Sequence, residues 1–151
     1  MHCFKSLFLS LFGLVVFSPL AMAAPSSDPF VQTLNADWVA SDDAAVGSLI
    51  EKTQKERPGD IVVLAAAYNY YLLIQPDLAK LTEAVNQIKT VSDADASNVG
   101  LKAFSNRAQS QLAKANAEGI KPVDDKKRAS IHTVFPKEFP GLALGITLQK
   151  K

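Results

Sequence analysis

The chain has 151 residues, 48% of them hydrophobic, and its 16 lysines and arginines nearly balance its 15 aspartates and glutamates. This balance lacks the basic surface that nucleic-acid binding requires, so nucleic acid is not an expected partner. The length suits one domain with one core, and the single cysteine, Cys3, excludes a disulfide framework.

Residues 1–23 have the layout of a secretory signal peptide. Lys5 precedes an apolar run over residues 7–17, and Ala21 and Ala23 form a small-x-small cleavage site. The apolar run is shorter than the about 20 residues that a bilayer span needs. We therefore expect cleavage after Ala23, a mature chain without a thiol or a membrane span, and a periplasmic or secreted location.

The N-terminal segment of the mature chain, residues 24–40, is predicted to contain a short helix. Asp28 suits the N-cap, and Pro29 suits the first helical position that follows it. The next apolar residues recur at helical spacing and include Trp38, which we expect to face inward.

Residues 41–120 are predicted to form the helical core of the domain. A second helix begins after the capping residues 41–43 and ends at Pro58, and Asp60 then caps residues 61–74, which carry no charge. As a helix this stretch reaches about 21 Å, which is short of the about 30 Å hydrocarbon core of a bilayer. Because it is apolar on nearly all sides, it is predicted to be the central core helix.

Two further helices are predicted along the rest of this core. The first begins near Asp77, and the second covers residues 99–117 after the polar run 92–98. Ser97 is the expected N-cap of the second helix, and Gly119 suits a left-handed C-cap at its end.

The C-terminal extension, residues 121–151, has a different character. Residues 130–135 and 142–148 are short apolar runs, and the second alternates with the period of a strand. The extension is predicted to be extended or to pair as a short β-hairpin, and an exposed strand over 142–148 would be able to accept a strand from a partner. The predicted fold is therefore mainly α, with antiparallel helical hairpins and this hairpin as an addition.

At the junction ERPGDIVVLAAAYNYY a helix closes on a proline, an acidic residue follows two places later, and the next helix presents a large apolar residue, a small one and a tyrosine. The residues at these places are Pro58, Asp60, Leu64, Ala67 and Tyr71. This arrangement resembles the boundary of a tetratricopeptide repeat, and sliding the chain on itself by about 35 places pairs further residues of like type.

The resemblance covers at most residues 43–118 and includes about two repeats, whereas such arrays usually need three or more. It implies a scaffold that binds peptides or protein surfaces along a concave face. A compact helical bundle with one such hairpin describes the same residues equally well.

The chain shows no recognisable catalytic or metal-binding motif. His132 is the single histidine of the mature chain, so a histidine-based zinc cluster is excluded, and no G-x-S-x-G elbow accompanies it. Asp93, Asp95 and Ser97 match the first ligand places of a calcium loop, but the required glycine and the closing glutamate are missing. We therefore predict no cofactor and no metal.

The candidate partner contacts are Trp38, Tyr68 and Tyr71, because large rigid side chains with a polar tip are favoured at interfaces. In an α-helix Tyr68 and Tyr71 share a face while Tyr70 projects elsewhere, so at least one hydroxyl should reach solvent or a buried partner. Packing in the core is the competing interpretation of these side chains.

Three classes of function remain open. The favoured one is an exported, non-catalytic helical protein that binds another protein of the cell envelope. The alternative is an immunity or inhibitor protein that neutralises a periplasmic toxin or hydrolase. The third is an enzyme that works through carboxylates such as Asp42, Asp43 or Glu83, and it would need two carboxylates in one pocket with a raised pKa. The oligomeric state is left open by the sequence.

Overall fold

The computed structural model describes residues 28–121 and 123–127 of the chain. They form α1 (Pro29–Val39), α2 (Asp43–Glu56), α3 (Ile61–Asn69), a π-helical turn (Tyr70–Ile74), α4 (Leu78–Ala94) and α5 (Val99–Glu118). This part of the chain contains no strand, and the prediction of a mainly α fold is confirmed. The predicted signal peptide and the predicted C-terminal hairpin lie outside the described residues.

Each helix packs against the next along the chain. The closest pairs are α1 with α2, α2 with α3, α3 with α4 and α4 with α5. Because the connections are short, consecutive helices form antiparallel hairpins. Repeat arrays and compact bundles share this order of helices, so the resemblance to tetratricopeptide repeats stays a prediction. Within the described ranges, no helix is both long and apolar enough to cross a membrane.

Four helices begin at an aspartate whose carboxylate accepts a backbone N–H of the first turn. These residues are Asp28, Asp42, Asp60 and Asp77. The prediction of Ser97 as the N-cap of α5 is wrong: Asn98, one place later, accepts the Leu101 N–H at 3.0 Å. The Ser97 hydroxyl instead donates to Asp95 at 3.1 Å. Asparagine caps helices at least as well as serine, so the sequence alone does not show which of the two neighbouring residues is the N-cap.

Two residues with positive φ end helices. Ser41, at φ 57°, follows α1, where the Asp42 N–H donates to the Asp37 carbonyl oxygen at 3.0 Å. Gly119 follows α5 with φ 75° and ψ 162°. The predicted positive φ is present there, but this ψ belongs to an extended region that only glycine adopts readily, so the C-cap is not left-handed helical. Ile120 then packs against the edge of the core.

The core is centred on α3, where every residue from Val63 to Asn69 is buried. All the other helices contribute apolar side chains to it, and representative ones are Leu34, Ile50, Leu81, Ile88 and Phe104. The buried Asn69 is satisfied because its side-chain amide donates to the Ala65 carbonyl oxygen at 2.9 Å. These observations confirm the prediction of a central core helix, and they show that α1 belongs to the same core.

The central helix changes its hydrogen-bonding pattern after Asn69. In the π-helical turn, the Gln75 N–H donates to the Tyr70 carbonyl oxygen at 2.9 Å, which is an i→i+5 bond. The sequence predicted one continuous α-helix over residues 61–74, so this turn corrects its second part. Such turns often occur at functional positions in helices, because they re-aim side chains.

An arginine ties the start of α1 to the junction between α2 and α3. Arg57 donates to both carboxylate oxygens of Asp28 at 3.0 and 2.9 Å, and its Nε donates to Asp60 at 3.0 Å. Its guanidinium also lies 5.6 Å from the ring centroid of Phe30. The hydrogen bond from Arg57 is the largest cause that holds the pKa of Asp28 below its usual range.

Replacing Asp28 by asparagine is expected to make folding less sensitive to acid. The pKa of Asp28 is lower in the folded chain than its ordinary 3.8. Its contribution to stability is therefore present above that value and is lost as the pH falls through the folded value. Asparagine keeps the N-cap acceptor but has no charge. Denaturant unfolding at about pH 5 and about pH 3 should show a smaller loss in the variant. Equal losses in both proteins would contradict this role.

Candidate functional site

A groove of about 440 Å³ runs between α2 and α4, and we call it the α2–α4 groove. The part of α4 that lines it, from Lys80 to Val91, extends over about 16 Å. An extended peptide of about five residues has this length. The residues that line the groove are Glu51, Gln54, Lys55, Pro58, Gly59, Tyr71, Lys80, Glu83, Gln87, Thr90 and Val91.

Three side chains from three helical segments meet at one side of this groove. Lys80 of α4 donates to Glu51 of α2, and the pair is about half exposed, at 46% and 48%. The Tyr71 hydroxyl donates to the same carboxylate oxygen at 3.4 Å. The Lys80 ammonium lies 5.3 Å from the centroid of the Tyr71 ring. The groove therefore presents a cation, an anion and an aromatic edge in a fixed arrangement.

The ionisation states of this cluster are well defined near neutral pH. The hydrogen bond from Lys80 holds the pKa of Glu51 below its usual range, and the same bond raises the pKa of Lys80. Burial is the main cause that raises the pKa of Tyr71 to about 12. Glu51 is therefore an anion, Lys80 a cation and Tyr71 a neutral donor.

The carboxylates that the enzyme hypothesis names do not lie together in one groove. Glu83 lines the α2–α4 groove with Glu51 and accepts the Gln87 amide at 3.2 Å. The pKa of Glu51 is shifted downward, opposite to the direction that general acid catalysis needs. Asp42 is the N-cap of α2, and Asp43 lies in its first turn. The enzyme hypothesis stays a prediction.

A contact between α2 and the π-helical turn positions this cluster. A Cβ atom at Gly47 would lie only 2.6 Å from the hydroxyl oxygen of Tyr70 and 3.0 Å from its Cζ. That hydroxyl lies 2.8 Å from the Asp43 carbonyl oxygen and 2.7 Å from Gln75 Oε1, and it donates its single hydrogen to one of them at a time. The Tyr70 ring packs edge-on against Tyr71 with centroids 5.2 Å apart. Sequence reasoning missed Gly47, although a glycine inside a helical pattern often marks a close approach.

The three residues that were predicted to contact a partner are buried. Trp38, Tyr68 and Tyr71 are 4%, 7% and 4% exposed. Tyr68 packs edge-on against Phe104 of α5 with centroids 5.7 Å apart, whereas Tyr71 meets α2 and α4. The expectation that Tyr68 and Tyr71 share one face stays a prediction, and the two side chains contact different helices. A buried partner for one tyrosine hydroxyl is confirmed by Tyr70. Partner contact by the three predicted residues stays a prediction.

A second groove lies between α3 and α5, and we call it the α3–α5 groove. It consists of two adjoining recesses of about 290 Å³ each, which share Leu72, Leu73 and Gln111. Tyr68 lines one recess, where burial raises the pKa of its hydroxyl. Two predicted contact residues, Tyr68 and Tyr71, thus line two different grooves.

Among the described residues, no group of three or more histidine, cysteine, aspartate or glutamate side chains is placed to hold a metal ion.

Comparison with protein-family models, with curated proteins and with solved structures found no match for this chain. A proposal of function therefore depends on the residues and grooves themselves.

Proposed function

We propose that this chain is an exported, non-catalytic helical protein that binds another protein of the cell envelope, and that the α2–α4 groove holds an extended segment of that partner. The observation that carries the proposal is the groove itself, with Tyr71 fixed between Lys80 and Glu51. Export is supported by the leader-like residues 1–23.

The groove offers the chemistry that an extended backbone needs. Gln54 and Gln87 line opposite walls, and each amide side chain supplies both donors and an acceptor for peptide groups. The half-buried Val91 of α4 supplies apolar surface, and the lining also includes Tyr71, which is 4% exposed. Backbone hydrogen bonds give affinity, and the apolar surface selects side chains.

The charges of the groove favour a partner segment without a large net charge. Its lining contains two acidic residues, Glu51 and Glu83, and two basic ones, Lys55 and Lys80. Because the signs balance, the groove does not select for a strongly acidic or basic segment. Glu51 already orients the Tyr71 hydroxyl. Binding of a partner would therefore cost little further side-chain entropy at this residue.

Replacing Thr90 by arginine is expected to reduce capture of the partner by about tenfold, which corresponds to about 1.4 kcal/mol. Thr90 is an exposed residue of α4 that lines the groove, and arginine there places a long cation where the partner segment would lie. The measurement is affinity capture by mature protein, residues 24–151, from a mildly cross-linked envelope extract, read by mass spectrometry. One stoichiometric protein should be retained by the wild type and lost with Thr90→Arg.

The matched control is Thr33→Arg, which makes the same change at an exposed position of α1 outside the groove. Thermal unfolding should be nearly unchanged in both variants, because neither residue is buried. Equal retention by all three proteins would contradict the groove as the binding site. No enriched protein at any salt concentration would contradict the protein-binding function.

A further inference from the structure

The α3–α5 groove has an unbalanced set of charges along its edges. Arg107, Lys114, Lys121 and Lys127 line it, against one acidic residue, Glu118. In the part of the chain that the structure describes, none of these four cations forms an ion pair, whereas three lysines of α2 and α4 are paired with carboxylates. The groove therefore has a net positive edge, which Glu118 offsets only in part.

Apolar side chains form part of the floor of the same groove, among polar ones. Leu72 and Leu73 are half-buried and belong to both recesses, and Phe104 and Ile120 lie toward the two ends. Asp124 follows nearby in the sequence but does not line the groove, and its carboxylate accepts the Lys127 backbone N–H at 2.8 Å. An occupant of this groove must match a partly apolar floor and a basic edge together.

We propose that the α3–α5 groove binds an acidic amphipathic helix of a partner protein. A helix that lies in a groove places its apolar face on the floor and leaves its polar face to the edges. From Arg107 to Glu118, α5 extends over about 16 Å, which is the length of about eleven helical residues. Glutamates flanking the apolar face would then meet Arg107 and Lys114, so charge complementarity identifies the partner as acidic.

The charge of the groove argues against other occupants. Residues 128–151 of the chain itself contain four basic residues and one acidic residue, Glu138. Their net charge has the same sign as the groove edge, so it does not complement that edge. A lipid surface is matched by a protruding apolar face, whereas Leu72 and Leu73 lie in a recess. This site shares no lining residue with the α2–α4 groove, so it is independent of the function proposed above.

The test is fluorescence anisotropy with the mature chain and a labelled synthetic helix of about 14 residues, or about 21 Å. The peptide carries leucine at i, i+3, i+4 and i+7, with glutamate or alanine elsewhere. Binding should weaken as salt is raised from about 0.05 M to about 0.5 M, because screening shortens the range of the attraction. Arg107→Glu and Lys114→Glu should each raise the Kd by about tenfold.

Two variants serve as controls. Lys102→Glu reverses a charge at an exposed position of α5 outside the groove and should leave the Kd unchanged. Thr90→Arg should also leave it unchanged, which separates this site from the α2–α4 groove.

Four outcomes would overturn the proposal. They are no binding of the peptide by the wild-type chain, an equal loss in Lys102→Glu, equal binding of a peptide with lysine in place of glutamate, and binding to phosphatidylglycerol vesicles without binding to the peptide.

Discussion

Replacing Trp38 by alanine is expected to lower the free energy of unfolding by about 3–5 kcal/mol. Trp38 is 4% exposed and belongs to the cluster of buried side chains that joins α1 to the rest of the core. Alanine would leave a cavity there, because the neighbouring helices relax only partly into the space. Domains of this size are stable by only about 5–15 kcal/mol, so the loss is a large fraction of the total. Urea unfolding followed by circular dichroism measures it.

The control for this prediction is the next residue along α1. Val39 is 68% exposed, so Val39→Ala should change the free energy of unfolding by no more than about 0.5 kcal/mol. The sequence also suggested Trp38 as a partner contact. A Trp38→Ala variant that keeps its stability and loses partner capture would support that contact and contradict the core role. Loss of stability would show that Trp38 acts through packing.

Much of the helical framework could be predicted from local signals. Asp60, after Pro58 and Gly59, marks the start of α3 because a helix N-terminus needs an acceptor for its free N–H groups. The uncharged stretch after it could be recognised as central, because a helix that is apolar on all sides must be surrounded. Both signals act within a few residues, so one sequence is enough to detect them.

The π-helical turn could not be predicted from the same stretch. Because the residues from Val63 to Tyr71 are all buried, the sequence has no polar face that would reveal a change in helical period. Tyr70 of the turn lies against Gly47 of α2, and a contact of this kind between helices is not visible in the sequence of the turn itself.

Two of the ion pairs join residues that are distant in the sequence, and one of them lies in the α2–α4 groove. Lys80 and Glu51 are 29 residues apart, and so are Arg57 and Asp28. All four are common surface residue types, and nothing in a single sequence indicates which of many such charges will pair. The three aromatic residues were predicted as partner contacts from their residue types. The polar residues that line the α2–α4 groove with Tyr71 are visible only in the structure.

Replacing Gly47 by alanine is expected to lower the free energy of unfolding by about 1 kcal/mol, the second largest loss that we predict for a single change. The new methyl group would lie 2.6 Å from the Tyr70 hydroxyl oxygen and 3.0–3.2 Å from two ring carbons, and these distances are shorter than ordinary van der Waals contact. Overpacking of this kind typically costs about 1–3 kcal/mol. Alanine favours the helix by about 1 kcal/mol over glycine, so the steric cost must exceed that gain. The rigid ring, held at its hydroxyl by α2, gives the methyl group little room.

A double-mutant cycle with Tyr70→Phe tests this cause directly. Removing the hydroxyl takes away the atom nearest to the added methyl group, so Gly47→Ala should cost at least about 0.5 kcal/mol less in the Tyr70→Phe background than in the wild type. Tyr70→Phe alone measures the loss of the hydrogen bond that the hydroxyl donates to the Asp43 carbonyl oxygen or to Gln75 Oε1. Additive effects would show that Gly47 and Tyr70 act independently. A stabilised Gly47→Ala variant would show that α2 and the π-helical turn move apart at little cost, and Tyr71 would then not be held rigidly in the α2–α4 groove.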